Sequence, residues 1–494
     1  MTSRERARAR VSSVDTAWLR MDRPTNLMQI VGVMIFEGRL DPERFKRIIA
    51  KRLLRYPRFR QIAEENSDGA WWVDDDQFDI DAHIRRTTLP EPRGKPELQK
   101  FVAEITSEPL NPLRPRWEYQ LVEMSEGNSA LVVRIHHAIA DGIALVNVFN
   151  SLTDSTADAD EDGGLKPTKE NRRLVESVAL PDDNDLFWKA LSDPVADLAL
   201  ASIRIGGNLW GQYQGLWKDP GTILDYASVA AAVANEIGNL ALMPNDSDTR
   251  FKGKPSATKC VAWSEPLALP EIKAVGRVLG CSVNDLSLSA LSGALRGYLL
   301  EKGDFVADVQ IRTLVPVNLR SPDDNEGLGN HFGLVAFELP VGIENPLARL
   351  YATRERMESL KGSYQAAVTY SILGLAGMAP RFLQQQVLDL LANKATAVMT
   401  NVPGPSQARY IAGIKISEQI FWVPSSGNIG IGVSIISYNG KVQCGLITDK
   451  NMVDDPERIV DHFATELEKL LLLVLMEPWS RLGDPAAVER ALTE

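Results

Sequence analysis

Leu131–Gly142 reads LVVRIHHAIADG. A β-rich run, LVVRIH, closes on two adjacent histidines, and Asp141 and Gly142 follow shortly after. The 494 residues hold only five histidines, so a side-by-side pair marks the place. Successive side chains on a strand point to opposite faces. One of His136 and His137 therefore turns back into the fold while the other faces a cleft. Gly142 permits a tight exit and opens a helix, GIALVNVFNSLT, and Asp141 stands close enough to hold a ring or the backbone. A neutral imidazole at a strand end, oriented by its neighbours, suits a general base near neutral pH. Packed histidines that merely close a strand are the alternative, and the pairing with Asp-Gly argues against it.

Other chemistries fit less well. Adjacent strand histidines face opposite ways and cannot easily share an ion, with Asp141 the only nearby extra ligand. Cys260, Cys281 and Cys444 are far apart and odd in number, with no CxxC spacing, so no structural metal and a reducing, cytoplasmic compartment are expected. There is no GxSxG elbow, and none of the cysteines has an activating neighbour. A base without a nucleophile implies direct transfer, in which a substrate hydroxyl or amine, once deprotonated, attacks an activated acyl group itself.

Composition sets the outer limits. An apolar content of 44% is that of a globular chain. The net charge of -11, from 65 acids against 54 bases, argues against a nucleic-acid partner. No run approaches the roughly 18 apolar residues that span a bilayer. The N-terminal MTSRERARAR lacks the apolar core of a signal peptide and reads as a solvated arm. Its Arg4, Arg6, Arg8 and Arg10 could also meet anionic lipid.

Along the chain, QIVGVMIFEGRL (29–40) reads as a strand and Asp41 as the cap of the next helix. Pro96–Glu108 reads as a helix. Trp117–Met124 and Ser129–His136 are neighbouring strands across the turn SEGN. DSTADADEDGG (154–164) is acidic and small and reads as a linker, and 185–250 as helical. A second half has strands at Cys260–Ser264, Val309–Val317 and Phe332–Leu339. Its helices fall at Pro270–Leu279, Val283–Leu300 behind a Ser282 cap, Asn345–Leu360 and about Gln365–Asn393. Ile429–Thr448 is a hairpin turning at Tyr438-Asn439-Gly440, and Pro456–Met476 a final helix. The expected division is residues 1–153, a connection over 154–253, and 254–494, two mixed α/β layers with a site between them.

HHAIADG resembles the HHxxxDG signature of the CoA-dependent acyltransferase superfamily. Further stretches, in order, are similar to the bacterial wax ester synthase/acyl-CoA:diacylglycerol acyltransferases: SSVDTAWLRMDRPTNLMQIVGV near the start, PRWEYQL (115–121), VNDLSLSAL from Val283, VPVNLR from Val315, Gly329-Asn330, and TNVPGP from Thr400. There are departures. Gln29 stands where the family often has histidine, and Arg116 replaces an apolar residue.

The resemblance implies two chloramphenicol-acetyltransferase-like domains with the active site in a tunnel at their interface. It implies His137 as the base that takes the hydroxyl proton of a fatty alcohol or diacylglycerol while the oxygen attacks the thioester of acyl-CoA. Acyl-CoA is a substrate, and no cofactor is implied. His136 supports from inside, Asp141 holds the loop and the imidazole, and Asn284 of the VNDLSLSAL helix start donates to the oxyanion. Gly142, Trp117, Asn401, Pro403 and Gly404 are the expected substrate-binding residues, although a rigid turn would equally explain TNVPGP and a core position Trp117. Lys252, Lys254 and Arg320 are candidates for CoA phosphates, with solvated surface the other reading. Products this insoluble imply peripheral contact with a membrane or lipid body, and a homodimer is one admissible state. Two enzyme alternatives share parts of this pattern: an HHxxxDG transferase with a different alcohol or amine acceptor, and the HxxxxD glycerol-phosphate acyltransferases. A non-catalytic lipid-binding protein is the third.

Overall fold

A computed structural model describes residues 8–66, 69–161, 242–320, 328–360, 365–378, 381, 384, 394–424 and 427–476. In chain order the first half gives β1 (Arg8–Arg10), α1 (Ser13–Met21), β2 (Gln29–Phe36), α2 (Pro42–Ile48), β3 (Gln61–Asn66), β4 (Gly69–Asp74), β5 (Ile84–Thr88), α3 (Lys95–Thr106), β6 (Trp117–Glu123), β7 (Ser129–His136) and α4 (Gly142–Leu152). The second half gives β8 (Lys259–Trp263), β9 (Leu267–Ala268), α5 (Leu269–Leu279), α6 (Val283–Glu301), β10 (Ile311–Asn318), β11 (Phe332–Leu339), α7 (Pro346–Leu360) and α8 (Gln365–Met378). It closes with β12 (Ala397–Pro403), β13 (Tyr410–Ile411), β14 (Ile414–Trp422), β15 (Ile431–Tyr438), β16 (Lys441–Asp449) and α9 (Pro456–Met476).

LVVRIH is a continuous apolar strand because both its faces are covered. All eight residues of β7 are buried. Leu131, Val133 and Ile135 join the larger core, while Ala130 and Val132 join a smaller one with Leu98, Val102 and Ile105 of α3. Each such fully buried aliphatic contributes about 1.5–3 kcal/mol. β7 lies between β2 and β6 in a sheet ordered β13-β14-β2-β7-β6-β5. The antiparallel register sets Gln29 opposite His136.

β14 comes from the second half of the chain yet pairs with β2 of the first, Trp422 opposite Val31. The other large sheet runs β11-β10-β12-β15-β16-β8, with β9 on β16. Its β15–β16 hairpin turns where expected, with Asn439 and Gly440 both at positive φ (48° and 73°), the backbone of a two-residue primed turn. Ser282 caps α6 by accepting from the Asp285 N–H. A buried pair, Arg349 with Glu466, ties α7 to α9. The mixed α/β class with two sheet-based halves is thus the observed one.

Smaller expectations resolve as follows. Arg8–Arg10 pairs with β4 as an exposed edge strand, and Arg4 and Arg6 lie outside the described residues. Asp154–Glu161, the start of the expected linker, is held against α2 and the turn after it. Arg52 bonds the Asp154 carboxylate at 3.0 Å and the carbonyls of Asp160 and Glu161. The helical expectation over 185–250 falls mostly outside the described residues, and its described end, 243–250, is irregular or turn rather than helix; the helix expected from about Gln365 to Asn393 falls mostly outside them beyond Met378. Among the described residues no single helix is long and apolar enough to cross a membrane.

Candidate active site

The loop after β7 is built by hydrogen bonds that fix each histidine differently. The His136 N–H donates to the Arg116 carbonyl at 2.9 Å, and its Nδ1 accepts from the Ala138 N–H at 3.1 Å. The ring proton is therefore on Nε2, which stands 3.5 Å from Asp22 Oδ2. Asp22 also accepts from the Met28 N–H at 3.0 Å and lies 3.4 Å from the Arg116 guanidinium. Burial opposes ionisation of Asp22, but His136, Met28 and Arg116 together hold its pKa below the ordinary value. Burial lowers the His136 pKa despite Asp22. His136 is thus a clip that fastens the strand end to the α1–β2 connection. The departure Arg116 serves the same clip, and Gln29 donates to the Thr106 carbonyl at 2.7 Å, near the C-terminus of α3.

His137 sits in a dry aromatic slot. Its ring stacks on Trp18 with centroids 4.1 Å apart and planes 12° from parallel, and Phe332 leans on it at 5.5 Å. Only 3% of the residue is exposed. Burial pushes the imidazole pKa down to about 4, with Asp141 the main opposing influence. The ring is neutral at pH 7, and the same burial opposes its protonation.

Three polar anchors hold the HHAIADG backbone. Asn330 Nδ2 donates to the His137 carbonyl at 2.8 Å and to Asp15 Oδ1 at 2.7 Å. Arg58 donates to the Ile139 carbonyl at 2.8 Å and pairs with Asp15 at 3.2 Å. Asp141 Oδ1 accepts from the Ala144 N–H, capping α4 at 2.8 Å. Its Oδ2 accepts from Arg320 Nη2 and the His331 N–H, each at 2.9 Å. Asp141 thereby ties the first turn of α4 to Arg320 and the His331 backbone. Its oxygens are taken by backbone and Arg320, so it acts on the imidazole through charge alone.

An apolar cavity of about 140 Å³ is lined by Ile135 and Gly142, the residues that flank the loop, but by neither histidine: both are buried, and the expected cleft-facing imidazole is not seen among the described residues. It runs between α4 and the first sheet, past Leu145, Val148, Val133 and Leu131, and is closed by Val402 and Gly404 of TNVPGP. A Cβ on Gly142 would meet nothing within 4 Å, so this residue borders open space. Gly404 N–H donates to the Ser437 carbonyl at 2.8 Å, and a Cβ there would stand 2.4 Å from that oxygen. Only glycine lets this turn lie against β15.

The structure therefore joins Gly142 and Gly404 in one cavity, while Pro403 is exposed beside it. Asn284, buried in the first turn of α6, accepts at Oδ1 from Asn401 Nδ2 at 2.6 Å. Those two are joined to each other, and among the described residues no hydrogen bond links them to HHAIADG. Trp117 lies in the core, 1% exposed and outside the cavity lining. Its indole donates to the Phe59 carbonyl at 2.8 Å and stacks on His83 in the core, and Tyr119, two residues along the same face, lines the cavity instead. Arg320 is buried on Asp141 and so is removed from the CoA-phosphate candidates. Trp18, Asp15, Arg58 and Asn330 had no assigned role from sequence, though SSVDTAWLRMD and Gly329-Asn330 were already singled out as stretches.

Two family models match the chain: the wax ester synthase/diacylglycerol acyltransferase catalytic domain over residues 11–287, and the WS/DGAT C-terminal domain over 328–471. A probable diacylglycerol O-acyltransferase of Mycobacterium tuberculosis H37Rv is 25% identical over 475 residues, 94% of this chain and 96% of its own. A second from that organism is 26% identical over 477 residues, 92% and 97% of the two chains. Among solved structures, the wax ester synthase/diacylglycerol acyltransferase from Marinobacter aquaeolei VT8 has a TM-score of 0.65 at 21% identity, over 94% of this chain and 99% of that one. The starter condensation domain of rhizomide synthetase has a TM-score of 0.57 at 12% identity, over 96% and 97%. Both structural likenesses are of fold.

Proposed function

The chain belongs to the wax ester synthase/diacylglycerol acyltransferase family, and from that premise we propose that it is an O-acyltransferase moving an acyl group from acyl-CoA directly to the hydroxyl of a fatty alcohol or diacylglycerol. His137 is the base. It takes the hydroxyl proton as the oxygen attacks the thioester carbonyl. Collapse of the tetrahedral intermediate breaks the C–S bond, and the departing thiolate recovers the proton from His137. Wax ester or triacylglycerol and free CoA are the products, and the imidazole ends as it began.

What carries this reading is the state of His137: dry, neutral, held between Trp18 and Phe332, on the loop between Ile135 and Gly142, two residues that line the apolar cavity. Asn284 is the proposed oxyanion donor. Asn401 occupies its Oδ1, which leaves its amide N–H groups to donate elsewhere, and one such donor is worth about 10² to 10³ in rate. Because the products are insoluble, the working enzyme is placed at a cytoplasmic membrane or lipid-body surface.

The test is thiol release from palmitoyl-CoA by the parent and by His137→Ala, with hexadecanol, dipalmitoylglycerol or no acceptor. Release that needs an acceptor and falls by at least about 10²-fold in the variant is expected. Release without acceptor would make the protein a thioesterase and overturn direct transfer.

A further inference from the structure

Asp22 ends α1, and its two carboxylate oxygens lead to the two histidines by separate routes. Oδ1 accepts from the Met28 N–H at 3.0 Å, and the Met28 carbonyl accepts from the His137 N–H at 2.8 Å. Oδ2 lies 3.4 Å from the Arg116 guanidinium, and the Arg116 carbonyl accepts from the His136 N–H at 2.9 Å. One carboxylate therefore holds both of the residues that receive the histidine amides. Met28 is 1% exposed, whereas the Asp22 side chain is 26% exposed, so this carboxylate is not part of the packed core.

The carbonyl side of the same loop is held from nearer the start of α1. Asp15 takes Asn330 on Oδ1 and Arg58 on Oδ2, and these two donate to the carbonyls of His137 and Ile139. Trp18 lies between the two carboxylates in sequence and stacks on the imidazole. Positions 15, 18 and 22 follow the i, i+3, i+7 spacing that returns to one side of a helix. One short element thus reaches His137 from its N–H side, from its carbonyl side and across its ring. A ring wedged in that way follows any shift of its backbone.

Resting on the acyl transfer proposed above, we infer that Asp22 is a positioning residue for the base: through Met28 and Arg116 it sets how the His136–His137 backbone sits against α1, and so where the imidazole meets the reacting hydroxyl. Proton transfer tolerates little misplacement, and a displacement of about 1 Å can cost 10²-fold in rate. A carboxylate suits the task because its two oxygens accept from two donors at once. An alanine would leave the Met28 N–H and the Arg116 guanidinium without this acceptor. An asparagine keeps Oδ1 for Met28 and loses only the Arg116 route.

Steady-state rates and histidine-selective nitrogen-15 NMR of the full chain test this. With five histidines in the chain, the amide spectrum is sparse, and the His136 and His137 signals are assigned by their absence in the single alanine variants. Asp22→Ala should lower kcat with palmitoyl-CoA and hexadecanol by about 10- to 10²-fold and leave KM for palmitoyl-CoA within about twofold. It should also move both amide signals. Asp22→Asn should recover most of the lost kcat and return the His137 signal to its parental place. A residue that served stability alone would lower Tm and leave kcat and both signals as they are. An unchanged kcat, or a kcat lost while the His137 amide stays in place, overturns the inference. Where Asp22→Ala does not fold, Arg116→Met decides: a shifted His136 amide supports the positioning role, and an unmoved one overturns it. If the parent transfers no acyl group, the acyl-transfer reading falls, and the amide signals of the same variants still decide whether Asp22 places the histidines.

Discussion

His137 is neutral because it is dry, and that has a pH signature. An ordinary histidine titrates at 6.5, whereas burial against Trp18 and Phe332 lowers this one to about 4. The unprotonated ring is the active base, so kcat/KM for acyl transfer should stay level from pH 8 down to about 5 and fall only near 4. A pH–rate profile whose acid limb breaks near 6.5 would show that the slot admits water. Stability moves with the same group. Between pH 6.5 and 4 the unfolded chain takes up a proton that the folded ring refuses, so stability is lost as pH falls through that window, by a few kcal/mol at most. His136, also lowered by burial, adds to the same trend. The histidines and Asp141 were legible in the sequence because their relation is local. Trp18, Asp15 and Asn330 were not, because stacking and carbonyl capping between distant segments leave no spacing to read.

At the level of elements, α1 brings both Asp15 and Trp18 to the loop, and its own position depends on a glycine. A Cβ on Gly377 of α8 would stand 1.7 Å from the Ser13 carbonyl oxygen, so the two helices touch through their backbones. Gly377→Ala should therefore exceed the usual 1–3 kcal/mol of overpacking, lower Tm, and reduce kcat by displacing Trp18 from His137. Gly142→Ala is the contrast, since its methyl would meet nothing within 4 Å. That variant should keep its Tm, and thermal melts of the pair check both expectations. If Gly377→Ala melts like the parent, α1 is not held as described. Most elements were legible because apolar content matches burial, as in β7, covered on both faces, and α6, buried at every residue from Asn284 to Leu295. β14 was missed because its register shifts between Ile416 and Glu418, which breaks the alternation a strand normally shows, and Lys415, Ser417, Glu418 and Gln419 hide it further. β3 (QIAEEN) was missed because most of its residues are only partly covered.

The whole molecule is sewn together where it works. β14 leaves the second half to pair with β2, Asn330 of the second half holds the His137 carbonyl, and Arg320 of the second half meets Asp141. Two halves read as successive stretches of sequence therefore share a sheet and a loop, a relation that no local pattern announces. Arg320→Met would leave the Asp141 carboxylate buried without its charge partner, a change that costs about 3–5 kcal/mol when such a pair is broken from one side. Its Tm should drop accordingly, and its kcat should fall with it, since Asp141 caps α4 and carries the loop. The same connections predict how the parent unfolds. Neither half can open without stripping β14 from β2 or exposing His137, so heating should give one cooperative transition, with calorimetric and van't Hoff enthalpies in agreement. Two resolved transitions would mean that the strand exchange and the Asp141–Arg320 contact are too weak to couple the halves. In that case the loop at HHAIADG would be set by its own half alone, and Arg320→Met should then lower Tm without lowering kcat.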